Sequence, residues 1–228
     1  EQSLLMIVEQ LATVIRCAVL ELDAVRVETP QDYIFNGDLV IKNEIYKCEG
    51  LRKLHLEIAK TSALDVLHCV FFPDFEYPIP IFGADIIATK TTVTAAIVDV
   101  SPVHKCGNIY ASIAPLANSY HFSTNRPLPL WGEIFSQYCK FVRLKTEKEK
   151  LDFVNLVNNI LMVYTDYAKS AQRDDKWVNN MLRLDDQIWY CKSQKQNKKT
   201  LAVLSQWFNP EFAKRYIDEM LFDTPKIK

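Results

Sequence analysis

Five apolar segments follow one another between residues 39 and 100: LVIKNEIYKC (39–48), LRKLHLEIAK (51–60), LDVLHCVFF (64–72), FGADIIA (82–88) and TTVTAAIVDV (91–100). Each is short, rich in β-branched or aromatic residues and bounded by turn residues, which predicts a meander of antiparallel strands. Leu51, Leu54 and Ile58 also fit a helical stripe. The regular alternation of Leu54, Leu56 and Ile58 with Lys53, His55, Glu57 and Ala59 favours a strand instead.

Helical spacing flanks this block. Residues 3–22 place Leu4, Leu5, Val8, Leu11, Ala12, Ile15 and Leu20 on one stripe, with Ser3 as the expected N-cap. The stretch through Pro30 and Gly37 reads as a loop, and residues 103–130 as a long, poorly periodic connection. From residue 147 the helical period returns, over 147–170, about 175–198 and 210–222, the last with Asn209 as cap and Pro210 at the first helical position. A helix, then a sheet, then more helices, with no repeat and no linker, predicts one α+β domain over residues 1–228, its helices covering a central sheet.

Composition removes several function classes. The five glycines (Gly37, Gly50, Gly83, Gly107 and Gly132) are never closer than 13 residues, so no loop can cradle a dinucleotide or triphosphate in the usual way. The six cysteines are at least 21 residues apart and form no CxxC pair, which argues against zinc ribbons, cluster ligation and dithiol chemistry; each is expected as a small buried hydrophobe. No run of 18 apolar residues and no export signal is present, so no membrane span and a reducing, cytoplasmic setting are expected.

The net charge of −1 conceals an asymmetry. Residues 140–150 and 192–199 (KSQKQNKK) together hold +7 in 19 residues, against −8 over the other 209. Such runs are solvated faces or a docking patch for an acidic partner; nucleic acid is disfavoured by the acidic remainder and the lack of a nucleic-acid motif.

Ionisable groups inside the most hydrophobic strands are the candidate functional residues. His55 and Glu57 lie two apart and share a face. His68 interrupts VLHCVFF, and Asp85 interrupts IFGADIIA. A buried carboxylate must be protonated, paired or facing a polar ligand, so these four predict a cluster of proton donors tuned by burial. The same four as metal ligands is a weaker alternative, since no ligand pair at helical spacing supports it. Asp99 is a further member or a strand-end cap, and His104 and His121 are expected at the surface.

LRKLHLEIAK, LDVLHCVFFPDFEYPIPIFGADI, AAIVDVSPVH, PLWGEIFSQYCKFVR, CKSQKQNKKTLAVL and RYIDEMLFD resemble, in order and over nearly the whole chain, the ferredoxin-dependent bilin reductases that make phycocyanobilin. The resemblance implies a three-layer α/β/α sandwich with a central antiparallel sheet, active as a monomer. It implies a four-electron reduction of biliverdin IXα by a protein that binds no cofactor of its own, with reduced [2Fe–2S] ferredoxin as external electron donor. A two-electron reductase giving a dihydrobiliverdin or another isomer, or a non-catalytic bilin-binding protein, are the alternatives. Residue by residue, Glu57 matches the acid that protonates the D-ring vinyl, and Asp85 the acid beside the pyrrole nitrogens. His68 matches the hydrogen-bonded partner of that acid, and His55 a supporting histidine. Thr94, Arg143, Asn197 and Lys199 match positions that hold the propionates, and Lys140, Lys145, Lys192 and Lys195 would receive an acidic ferredoxin. Two departures stand out: the turn between Glu57 and His68 is one residue short, and Lys198 stands where relatives commonly carry an Asp. Asp185 or Asp186 is a possible substitute for that acid.

Overall fold

The computed structural model describes residues 2–227, with side chains from Ile7 onward. Helix α1 (Gln2–Glu21) precedes two short strands, β1 (Val25–Val27) and β2 (Tyr33–Asn36). The meander follows as β3 (Leu39–Cys48), β4 (Leu51–Lys60), β5 (Leu64–Pro73), β6 (Ile81–Thr89) and β7 (Val93–Ser101). Helix α2 (Tyr110–Ser119) and strands β8 (Thr124–Asn125) and β9 (Lys140–Leu144) lead to helices α3 (Glu147–Ser170), α4 (Trp177–Gln194), α5 (Lys198–Trp207) and α6 (Pro210–Tyr216). A π-helical turn, Ile217–Leu221, closes the described elements.

The five predicted strands form the middle of one antiparallel sheet in the order β1-β3-β4-β5-β6-β7-β9-β8. Strands β1 and β2 lie end to end along the same edge of β3, pairing with Ile45–Lys47 and Leu39–Lys42. The β3–β4 turn depends on Gly50, whose φ of +77° favours glycine and where a Cβ would stand 2.9 Å from Ile79.

Strand alternation gives the sheet two unlike faces. Leu54, Leu56, Leu67, Phe71, Phe82 and Val98 pack with α1 and α3 in a large aliphatic and aromatic core. On the other face Val70, Phe72 and Ile81 pack against Tyr190 of α4, Leu204 of α5 and Tyr216 of α6. The architecture is thus the expected α+β sandwich, helices on both sides of an antiparallel sheet. Helix α3 opens with a reciprocal capping box, Thr146 with Glu149.

Four local expectations change. The loop before Gly37 contains β1 and β2, short edge strands with little periodicity. The 103–130 connection contains α2, signalled only by Ile109, Ile113 and Ala117 and interrupted by Pro115. The basic run 140–150 begins as β9, whose Val142 and Leu144 point into the core. The helix at 175–198 ends at Gln194, because Asn197 caps a separate helix α5 by accepting from the N–H groups of Lys199 and Thr200. Asn209 and Pro210 open α6 as read from the sequence, whereas Ser3, the cap expected for α1, lies outside the residues whose side chains are described. The cysteines are all free, but only Cys69, Cys106 and Cys191 are buried. No helix among the described residues is long and apolar enough to cross a membrane.

Candidate active site

The register of the sheet sets the site. Asn43 on β3 lies opposite Glu57 on β4, Glu57 opposite His68 on β5, and His68 opposite Asp85 on β6. Paired residues in a pleated sheet project to the same side, so these four form one polar row across four strands. His55 lies in the next row, between Ile45 and Val70, with Gly83 and Asp99 beyond. The short turn between Glu57 and His68 leaves their pairing intact, because the hairpin closes through Thr61, whose N–H bonds Leu64. Both rows face the layer that carries α4, α5 and α6 rather than the aliphatic core.

Within the row, burial and hydrogen bonding act against each other. His68 Nδ1 lies 2.7 Å from Asp85 Oδ1, a pair in which the ring N–H donates to the carboxylate. Burial favours the neutral imidazole, yet Asp85, with Glu57 behind it, holds His68 above the ordinary histidine range. Burial raises the Glu57 carboxyl, only partly offset by His68 and by Tyr216, whose hydroxyl donates to Glu57 Oε2. His55 is wholly buried, and that burial together with Lys53 and His68 holds it far below its usual value, as a neutral ring. Asp85 differs from its neighbours: its side chain is 42% exposed, against 11% for His68. A buried donor pair thus ends in a carboxylate open to the outside. Two buried nitrogens, His55 Nδ1 and His68 Nε2, have no protein partner among the described residues, the kind of polar orphan found where a ligand belongs.

The cover of this site is the C-terminal segment. Phe222 sets its ring edgewise to His68 with centroids 5.4 Å apart. Lys53 binds the Met220 carbonyl and the Asp223 carboxylate, each at 2.5 Å, and Arg52 binds Asp223 at 2.8 Å. Gly83 leaves room for the Tyr190 hydroxyl, 3.3 Å from where a Cβ would sit. Asn43, Lys53, Tyr216 and Phe222 were not singled out from sequence. Asn43 and Lys53 carried a signal, a polar side chain within an apolar strand; the two aromatics, on a helical segment, carried none.

The remaining candidates are spread around this cluster. Thr94 on β7 bonds the Ile87 carbonyl through its hydroxyl. Arg143 on β9 is exposed, and by alternation with the buried Val142 and Leu144 it shares the face of Phe141, which pairs with Ile97 beside Asp85. Asn197 and the exposed Lys199 open α5, with Asn197 engaged as the helix cap. Lys198 is exposed in the same turn. Of the four docking lysines, Lys145 and Lys192 are exposed and Lys140 is half-buried, while Lys195 pairs with Asp218 at 3.0 Å.

Asp99 takes neither expected role: its carboxylate accepts from Ser101 and Ser136 and ties β7 to the 132–138 loop. Asp186 accepts the backbone N–H of His104 at 2.6 Å and Asp185 is exposed, so neither joins the cluster. His104 is half-buried and held by Asp186, Asn179 and Arg183, whereas His121 is exposed as read from sequence. Among the described residues no group of three or more His, Cys, Asp or Glu side chains is arranged to hold a metal ion.

The model of one protein family, the ferredoxin-dependent bilin reductases, matches residues 10–223. The phycocyanobilin:ferredoxin oxidoreductase of Prochlorococcus marinus (strain MIT 9515) is 42% identical over 188 residues, 82% of this chain and 78% of that protein. Its namesake from Synechococcus sp. (strain CC9902) is 39% identical over 213 residues, 92% of this chain and 84% of that one. Among solved structures, phytochromobilin synthase from tomato in complex with biliverdin aligns at a TM-score of 0.77 over 92% of this chain and 80% of that chain, with 13% identity, a likeness of fold. The chain therefore belongs to the ferredoxin-dependent bilin reductases, enzymes that reduce a bilin with electrons drawn from ferredoxin.

Proposed function

We propose that this reductase converts biliverdin IXα to phycocyanobilin, adding four electrons and four protons, and that it works as a single-domain monomer in a cyanobacterial cytoplasm or a plastid stroma. The observation that carries the proposal is the row Glu57–His68–Asp85, in which a carboxyl and an imidazole are both held toward their protonated forms beside an open carboxylate. Each electron from ferredoxin raises the basicity of the conjugated tetrapyrrole, and a positioned acid then delivers a proton to one chosen carbon. Glu57 protonates the D-ring vinyl. Asp85, open to the substrate, serves the pyrrole nitrogens and lactam oxygens, with His68 as its proton partner and His55 in support. The identity to relatives named for phycocyanobilin supports this product.

Arg143, Lys199 and Thr94, with Asn197, hold the two propionates, Arg143 through its planar two-point fork. Lys140, Lys145 and Lys192 offer the positive rim that an acidic ferredoxin meets, and Lys195 contributes less because Asp218 already pairs with it. Lys198 supports one competing reading, a reaction that ends after two electrons, since a cation there cannot supply the proton that an Asp would.

The deciding experiment is anaerobic incubation with biliverdin, ferredoxin and a reducing system, followed by chromatography of the pigments. Phycocyanobilin is the expected end product. A dihydrobiliverdin end product overturns the four-electron version, and no bilin product overturns the whole reading. Glu57→Gln is expected to accumulate an intermediate whose D-ring vinyl is unreduced.

A further inference from the structure

Asn43 is fully buried on β3, and its hydrogen bonds fix the orientation of its amide. Nδ2 lies 2.8 Å from the Gln31 carbonyl oxygen, which can only accept, so the NH₂ end must point there and the oxygen must point away. Asn43 Oδ1 then lies 2.7 Å from His55 Nε2. An amide oxygen also only accepts, so the His55 proton resides on Nε2 and the lone pair on Nδ1, the buried nitrogen that has no protein partner. The second Nδ2 hydrogen goes to the Tyr216 oxygen at 2.9 Å. Tyr216 has one proton to give and two acceptors in reach, Asn43 Oδ1 at 3.1 Å, already engaged by His55, and the nearer Glu57 Oε2, which carries the carboxylate charge and takes it. Three hydrogen bonds therefore run one way, from His55 through Asn43 and Tyr216 to Glu57, each polarising the next.

We propose that Asn43 and Tyr216 are positioning residues of this reductase, which lock His55 as its Nε2–H tautomer, with Nδ1 a buried acceptor beside His68, and confine the transferable proton of Glu57 to Oε1. Oε2 is occupied as an acceptor, so a protonated Glu57 carries its hydrogen on the other oxygen. The His55 and His68 rings stand edge to face with their centroids 5.9 Å apart. The groups facing this chain are Lys53 on the same strand, His68 from β5, Asp85 from β6 and Arg26 from β1. All of them are unchanged by substitutions at Tyr216. The proposal rests on the reading of Glu57 as a proton donor, but its first test does not.

Long-range proton–nitrogen correlation spectra of the full chain carrying ¹⁵N-histidine report the tautomer directly, with His55 assigned by its loss in His55→Gln. A neutral Nε2–H pattern that persists from pH 6 to 9 is expected. An Nδ1–H pattern, or titration of His55 within that range, overturns the lock even if the enzyme makes phycocyanobilin. Conversely, a protein that makes no bilin product yet shows the Nε2–H pattern overturns the function and leaves the lock standing. Tyr216→Phe keeps the ring stacked on Phe212 and removes only the hydroxyl. Burial of Glu57 is then unopposed by that donor, so the alkaline fall of the D-ring step moves up by roughly one to two pH units while biliverdin binding persists. An unmoved pH profile in a folded Tyr216→Phe protein overturns the role assigned to Tyr216.

Discussion

The two faces of the sheet are built from alternate residues of the same strands, and they differ in what burial does. Toward α1 and α3, Leu54, Leu56, Leu67 and Phe71 are at most 2% exposed, and what they bury is apolar. Toward α4–α6 the intervening residues are His55, Glu57 and His68, which are buried as well. Burying a side chain such as Phe71 stabilises by about 1.5–3 kcal/mol, whereas a buried polar atom left without a partner costs about 1–3 kcal/mol. The closed face therefore has the margin that lets the other keep two unpartnered nitrogens. Comparison within the polar side sharpens the point. Asp99 and Arg183 are buried too, at 3% and 1% exposure, yet Asp99 accepts from two serines and Arg183 bonds Phe75, Asp174 and Asn180. Burial alone does not set the candidate site apart in this molecule; burial without complete pairing does.

The contrast breaks first at Asp85. Asp85→Asn leaves an amide oxygen for the His68 N–H, so the fold and biliverdin binding should persist while turnover falls on the order of 10²- to 10⁴-fold, measured as bilin product formed per enzyme. Near-normal turnover would place the chemistry elsewhere on the sheet. On the closed face the effects exchange places. Phe71→Ala is expected to lower unfolding stability by about 3–5 kcal/mol in urea titration, with the product pattern of the surviving folded protein unchanged.

That division was only half legible in the sequence. The strands β3–β7 were readable because each alternates cleanly, and His55, Glu57, His68 and Asp85 stood out as charges in apolar runs. Their mutual placement was not readable, since it depends on register: Glu57 faces His68 only because the 61–64 turn absorbs the shorter hairpin. The cover was hidden for another reason. Tyr216 and Phe222 reach the site across more than 150 residues of chain, from a segment whose local pattern says only helix. Helix α5 was missed because Lys195 to Lys199 read as one charged run, when Asn197 within it ends one helix and caps the next. A long-range hydrogen bond leaves no periodic trace, so the positioning residues emerged from the structure alone.

A smaller effect tests burial by pH. The neutral, depressed state of His55 means that the unfolded chain takes up a proton near pH 6.5 and the folded one does not. Stability from this group is full above that value and is lost as the pH falls below it. Glu57 and His68, both raised, act in the opposite sense, losing stability as the pH rises from 4.5 and from 6.5 respectively. Comparing the parent with His55→Gln cancels those two contributions. The gap between their unfolding free energies should shrink by up to about 1.4 kcal/mol per pH unit below 6.5, and a gap independent of pH would contradict a neutral buried His55.

The smallest expected effect lies at the rim, where the polar side meets solvent. Lys192 is exposed with no ion pair among the described residues, whereas Lys195 is held by Asp218. A free exposed charge acts on an acidic partner over roughly 30 Å at about 0.01 M salt, and a paired one is largely cancelled at that range. Lys192→Glu should therefore raise the KM for ferredoxin several-fold at low ionic strength, with kcat and bilin product unchanged, and Lys195→Gln should do less. Both differences should fade as salt is added, because screening removes a steering effect and leaves the proton chemistry untouched. If Lys195→Gln has the larger effect instead, the Asp218 pair opens on docking, and the rim is a rearranging surface rather than a fixed field.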